Sequence, residues 1–81
     1  MTADEIFNTL RGLVAEQFNL EKEKVTMETS FSEDLGADSV DLVELVMAME
    51  EEFAVGEIEE EDLSGLKTVG DAVRFLADRA S

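Results

Sequence analysis

Apolar residues at Ile6, Leu10, Leu13 and Val14, with Phe18 slightly out of register, recur at the spacing of one helical face. They predict a first helix over Thr2 to Gln17. At its start Thr2 and Glu5 stand three apart, the pattern of a capping box in which each side chain satisfies a free N–H of the first turn. A second set, Leu42, Leu45, Val46, Met49 and Phe53, follows the i, i+3, i+4, i+7, i+11 rule and predicts a helix over Ser39 to Phe53. Gly56 and the acidic run Glu57 to Asp62 break that period, leaving Ile58, Leu63 and Leu66 as anchors for one short helical turn. Thr68 and Asp71 then form another Thr-x-x-acid start, followed by Val69, Ala72, Val73, Leu76 and Ala80 on one face of a last helix.

The expected fold is all-α: a small four-helix bundle of three main helices and one short one, in a single domain spanning 1–81, with no strand. The connection from Phe18 to Asp38 runs to roughly twenty residues, long for a compact domain. Leu20, Val25, Met27, Phe31 and Leu35 are spaced along it as pins onto the core, and Gly36 permits a turn with positive φ. An ordered crossover, not a disordered linker, is the expectation.

Charge narrows what such a bundle can do. Six Lys and Arg against 21 Asp and Glu leave a net charge of −15. Nucleic acid and anionic membranes are poor partners for it, because binding them depends on releasing counterions to cations this chain lacks. A partner with a basic patch suits it. The chain has no Cys and no His, which removes disulfides, thiolate nucleophiles, the usual zinc sites and every Ser-His-Asp arrangement. No apolar run approaches the roughly 20 residues of a membrane span, and the N-terminus lacks a basic targeting segment, so a soluble chain is expected. A cytoplasmic location and a monomeric state are further expectations.

One stretch remains unexplained by packing. In Asp34-Leu35-Gly36-Ala37-Asp38-Ser39, a single serine stands where the second helix begins. A lone serine there commonly caps the helix itself. Here Asp38 can supply that cap, with Asp41 completing the box, which leaves the Ser39 hydroxyl without a structural task. Beside Ser39 runs a second apolar stripe, Val40, Val43 and Met47, bordered by Asp38, Asp41, Glu44, Glu50 and Glu51. The stripe could widen the buried face, or it could dock a basic partner through apolar contact within a rim of one charge. An EF-hand is excluded, because glycine falls at the third position of the Asp34 segment and serine at the sixth.

The block from Asp34 through Ser39 and on through Val40-Asp41-Leu42-Val43-Glu44-Leu45-Val46-Met47-Ala48-Met49 to Phe53 resembles the acyl carrier proteins of dissociated (type II) fatty-acid synthases. The resemblance extends over essentially the whole chain, through Lys67-Thr68-Val69 to the last helix. It implies that Ser39 is esterified by 4′-phosphopantetheine, transferred from coenzyme A by a magnesium-dependent phosphopantetheinyl transferase. The arm would supply the missing thiol and hold acyl groups as thioesters, and the protein itself would be no enzyme. The resemblance also makes the second helix the recognition helix, with Asp38, Val40, Asp41, Val43, Glu44, Met47, Glu50 and Glu51 facing fatty-acid synthase enzymes through their basic docking patches. It implies an acyl pocket lined by Phe31, Val46, Met49, Ile58, Leu63, Leu66 and Ala72, residues that pack as ordinary core when no acyl group is present.

Two departures from the family pattern stand out. Val40 replaces the usual leucine after the serine, and the Ala54 to Glu59 stretch is one residue longer, with Glu59 where proline is common. Carriers of polyketide, nonribosomal peptide or alanyl pathways share the serine and the arm. An unmodified acidic adaptor would use the same helix, and a hydrolase would need a base that no motif here places beside Ser39. Between Val25 and Leu66 lie fourteen acidic residues and no basic one, so self-repulsion should leave the fold marginal at low salt and responsive to millimolar magnesium or calcium.

Overall fold

The computed structural model describes residues 2–80. Within them lie α1 (Ala3–Phe18), α2 (Ser39–Phe53), α3 (Glu60–Leu63) and α4 (Val69–Ala80), with a 3₁₀ turn at Lys22–Lys24 between the first two. Among the described residues there is no strand, and β-type pairing is confined to one isolated antiparallel bridge between Ser30 and Thr68. The all-α bundle of three long helices and one short helix is the architecture the periodicity predicts.

Each long helix starts where a side chain replaces the missing intrahelical partners of its first turn. Thr2 Oγ1 accepts from the Glu5 N–H at 3.2 Å, while Glu5 accepts from the Thr2 N–H at 2.8 Å. The Thr2 N–H, aided by the Thr2 hydroxyl, holds the Glu5 carboxyl below its ordinary value of 4.5. The same device opens α4: Thr68 Oγ1 accepts from the Asp71 N–H, and Asp71 accepts from the N–H groups of Thr68 and Lys67, all at 3.1 Å. The Thr68 N–H chiefly lowers the Asp71 carboxyl from its usual 3.8; burial opposes it, and the Arg74 guanidinium and the Lys67 N–H add smaller lowering contributions.

The helical period then decides the core. Ile6, Leu10 and Val14 of α1 are fully buried, and Leu13 and Phe18 are half-buried beside them. Leu45, Val46, Met49 and Phe53 bury the inner face of α2, and Val69, Ala72, Val73 and Leu76 that of α4. The side chain of Ala80, expected on the same face, lies outside the described part of the chain. Helix α1 packs most extensively on α4 and also against α2. Helix α3 buries none of its own residues; Ile58 before it and Leu66 after it carry its burial.

The long connection is ordered because its backbone is fastened to the start of α4. The Phe31 N–H donates to Lys67 O, the Val69 N–H to Thr29 O and the Gly70 N–H to Met27 O, at 2.8 to 3.0 Å. At Gly70 a β-carbon would stand 2.9 Å from that Met27 carbonyl, so only glycine allows the approach. Val25 and Phe31 are buried and Leu35 half-buried, as expected of core pins. Leu20 and Met27 are not: they are 37% and 36% exposed. Leu20 follows the left-handed turn at Asn19 that leads the chain off α1, and at Met27 the carbonyl, not the side chain, makes the tight contact with α4.

Candidate functional site

Gly36 at φ +63° turns the chain out of the long connection, and the Ala37 N–H donates to Phe31 O at 2.8 Å. Asp38 follows in extended conformation as the cap of α2. Its Oδ1 accepts from the Asp41 N–H at 2.9 Å, and Asp41 Oδ2 accepts from the Asp38 N–H at 3.2 Å. A bond from α1, Gln17 Nε2 to Asp41 O at 2.7 Å, holds this first turn against the bundle. No sequence signal marks Gln17 for that role, because the contact exists only once the two helices have packed.

Ser39 therefore occupies the first position of α2, with both cap oxygens supplied by its neighbours. It is exposed, and among the described residues its hydroxyl makes no hydrogen bond. The first N–H groups of a helix lack intrahelical acceptors and lie at the positive end of its dipole, an environment suited to a phosphate ester. A phosphopantetheine attached through Ser39 fits this position: the nucleophilic oxygen faces solvent, and helix N–H groups stand beside it. The carboxylates of Asp38 and Asp41 oppose the phosphate by charge but are turned onto the cap N–H groups.

Beyond Ser39, Val40, Val43 and Met47 are 65%, 46% and 61% exposed. The second apolar stripe is thus an outer surface, not a widened core face. Asp38, Glu44 and Glu51 around it are exposed, and Asp41 is half-buried. Glu50 differs from its neighbours. It is half-buried, and its carboxylate accepts from the backbone N–H of Ile58 across the α2–α3 connection.

A groove of about 610 Å³ begins at Ser39 and runs between α2 and the α3 segment. Its α2 wall is Leu42, Val43, Val46 and Met47, and Ile58 and Leu63 stand opposite. Of the residues expected to line an acyl pocket, Val46, Ile58 and Leu63 reach this groove. Phe31, Met49, Leu66 and Ala72 pack in the core instead and do not line it. The pattern of apolar positions cannot separate these two groups, since both read as buried; the division depends on where α3 lies relative to α2.

Residues 8–76 match the family described as phosphopantetheine attachment site. Acyl carrier proteins from three strains of Clostridium perfringens are each 45% identical to the chain over 73 residues, covering 90% of it and 95% of theirs. Among solved structures, an acyl carrier protein from Enterococcus faecalis, described for its high thermal stability, superimposes with a TM-score of 0.80 at 33% identity, covering 98% of this chain and 99% of that one. Sequence, fold and a serine presented at a helix N-terminus agree, and the chain belongs to the acyl carrier protein family, carrying its phosphopantetheine attachment domain.

Proposed function

We propose that Ser39 is the residue that bears 4′-phosphopantetheine, and that the protein presents fatty acyl intermediates on that arm without catalysing their chemistry. The observation that carries this reading is the exposed Ser39 hydroxyl, free of hydrogen bonds at the first position of α2 while Asp38 performs the capping. Ser39 also lies within the matched segment and at the mouth of the groove. The arm supplies a thiol, the one reactive group that a chain without cysteine lacks, and holds acyl groups on it as thioesters. The chain's own part is to expose the oxygen, to offer helix N–H groups to the phosphate and to shelter apolar carbons along Leu42, Val46, Ile58 and Leu63.

Asp38, Val40, Asp41, Val43, Glu44, Met47 and Glu51 form the surface that meets a phosphopantetheinyl transferase and fatty-acid synthesis enzymes. Exposed apolar groups within a rim of carboxylates match a basic docking patch on the partner: the charges raise the encounter rate and the apolar contacts lengthen residence. Glu50 stands at the edge of this surface with its carboxylate engaged on Ile58. The same charge makes nucleic acid an unfavourable partner. In this reading the protein acts as a cytoplasmic monomer. Among the described residues no helix is long and apolar enough to cross a membrane.

Intact mass before and after incubation with coenzyme A, magnesium and a broad phosphopantetheinyl transferase tests the proposal. Wild type should gain one phosphopantetheine, or already carry it, and Ser39→Ala should gain none. Modification of Ser39→Ala, or wild type that bears no phosphopantetheine either before or after incubation, would overturn it.

A further inference from the structure

Among the described residues, the connection between α2 and α3 has one polar fastening between the C-cap of α2 at Ala54 and the cap of α3 at Glu59. The chain leaves α2 through Ala54 at φ 50° and turns again at Gly56 at φ +82°, two left-handed positions that bring it back along the helix it has just left. Among the described residues, 55–58 make a single hydrogen bond, from the Ile58 N–H to Glu50 Oε2. Glu50 and Ile58 stand on opposite walls of the groove that starts at Ser39. Ile58 is buried, so its N–H without that acceptor would be a donor held away from water. On its far side α3 is fastened by Arg79 Nη2 to Asp62 Oδ2 at 3.2 Å.

Charge makes Glu50 suited to this task. A carboxylate accepting from a backbone N–H forms a stronger bond than a neutral acceptor does, and the bond gains further where water is partly excluded. The other wall has few other anchors: α3 fully buries none of its own residues, and its position follows from Ile58 and Leu66, the half-buried Val55 and Leu63, and these polar contacts. We infer that Glu50 is a positioning residue that latches the Ile58 wall to α2 and so holds the two walls of the groove at their present separation. The latch is independent of what Ser39 carries.

Amide hydrogen exchange on the unmodified protein tests the latch. In Glu50→Ala the Ile58 N–H should exchange roughly ten- to a hundredfold faster, while the amides of Leu10 and Val73 keep their wild-type rates. Glu50→Gln, which keeps shape and an acceptor oxygen but loses the charge, should fall between, and it carries the test if the alanine variant does not fold. Unchanged Ile58 exchange in the variants would overturn the latch. Failure of the carrier reading shows itself separately, as wild type without phosphopantetheine before and after incubation, and leaves the latch to be judged on the unmodified protein.

Discussion

Leu10 and Leu76 are wholly buried where α1 meets α4, whereas on α2 Val40 and Met47 leave more than half of their surface in water and a groove opens toward α3. Charge divides along similar lines. All six cations lie outside the segment between Val25 and Leu66, which holds fourteen carboxylates. Arg11 and Arg79 stack on the rings of Phe7 and Phe75, and Arg74 pairs with Asp71. One side of the bundle thus nearly balances its charges; the other, apart from Asp62 paired with Arg79, leaves its carboxylates without cations and, beyond the buried inner face of α2, leaves apolar side chains uncovered. A domain of this size has little stability to give away. The comparison teaches that the α1–α4 packing holds the fold, so that α2 and α3 can be shaped for partners and cargo.

The largest effect should come from opening the packed half. Leu10→Ala removes a fully buried side chain at the α1–α4 contact and is expected to cost about 2–5 kcal/mol, read as a lower denaturant midpoint at unchanged slope. A cost below about 1 kcal/mol would erase the distinction between the halves.

A smaller loss should follow at the cap of α4. Asp71→Asn keeps an acceptor but weakens bonds to Thr68 and Lys67, at about 1 kcal/mol near neutral pH. The sign with pH is fixed by the lowered carboxyl. Because the folded value lies below the ordinary 3.8, the contribution of Asp71 is complete above 3.8 and is lost as pH falls through the folded value. Melting curves of wild type and Asp71→Asn should converge in that acid range; a gap that persists there would place the effect elsewhere.

The acidic half supplies the next test. Millimolar magnesium should raise the melting temperature by a few degrees, because the segment between Val25 and Leu66 has no cations of its own to screen its carboxylates. An equal rise from matched ionic strength of sodium chloride would reduce this to general screening. No rise with either would show that self-repulsion is not what limits stability.

The smallest change in stability should come from the exposed surface of α2. Glu44→Lys should alter folding stability by less than about 0.5 kcal/mol, yet weaken association with a ketosynthase at low salt by slowing encounter. Affinity equal to wild type would detach Glu44 from the docking surface.

Much of this molecule is legible in its order of residues. Helical spacing identifies the buried faces of α1, α2 and α4, and Thr-x-x-acid or Asp-x-x-acid starts identify the caps, because both depend on neighbours within one or two turns. The block around Ser39 is legible for the same reason: Asp38 and Asp41 are three apart and free the serine wherever the helix sits. Contacts between distant segments are not written locally. Leu20 and Met27 look like Val25 and Phe31 in sequence, yet they stay outside, since the 3₁₀ turn at Lys22–Lys24 and the Met27–Gly70 approach decide which side chains face inward.

The sequence by itself determined the helices, their inner faces, the uncapped serine and the acidic surface, all properties of residues within a few positions of one another. The tertiary structure decided how the apolar residues around α2 divide between core and groove, setting Val46, Ile58 and Leu63 along the opening and Phe31, Met49, Leu66 and Ala72 within. It also decided that Glu50, which reads as one more surface carboxylate, turns inward to Ile58. The reason is physical: two left-handed positions, Ala54 and Gly56, set the path of the returning chain, and only that path brings a backbone donor within reach of the helix behind it.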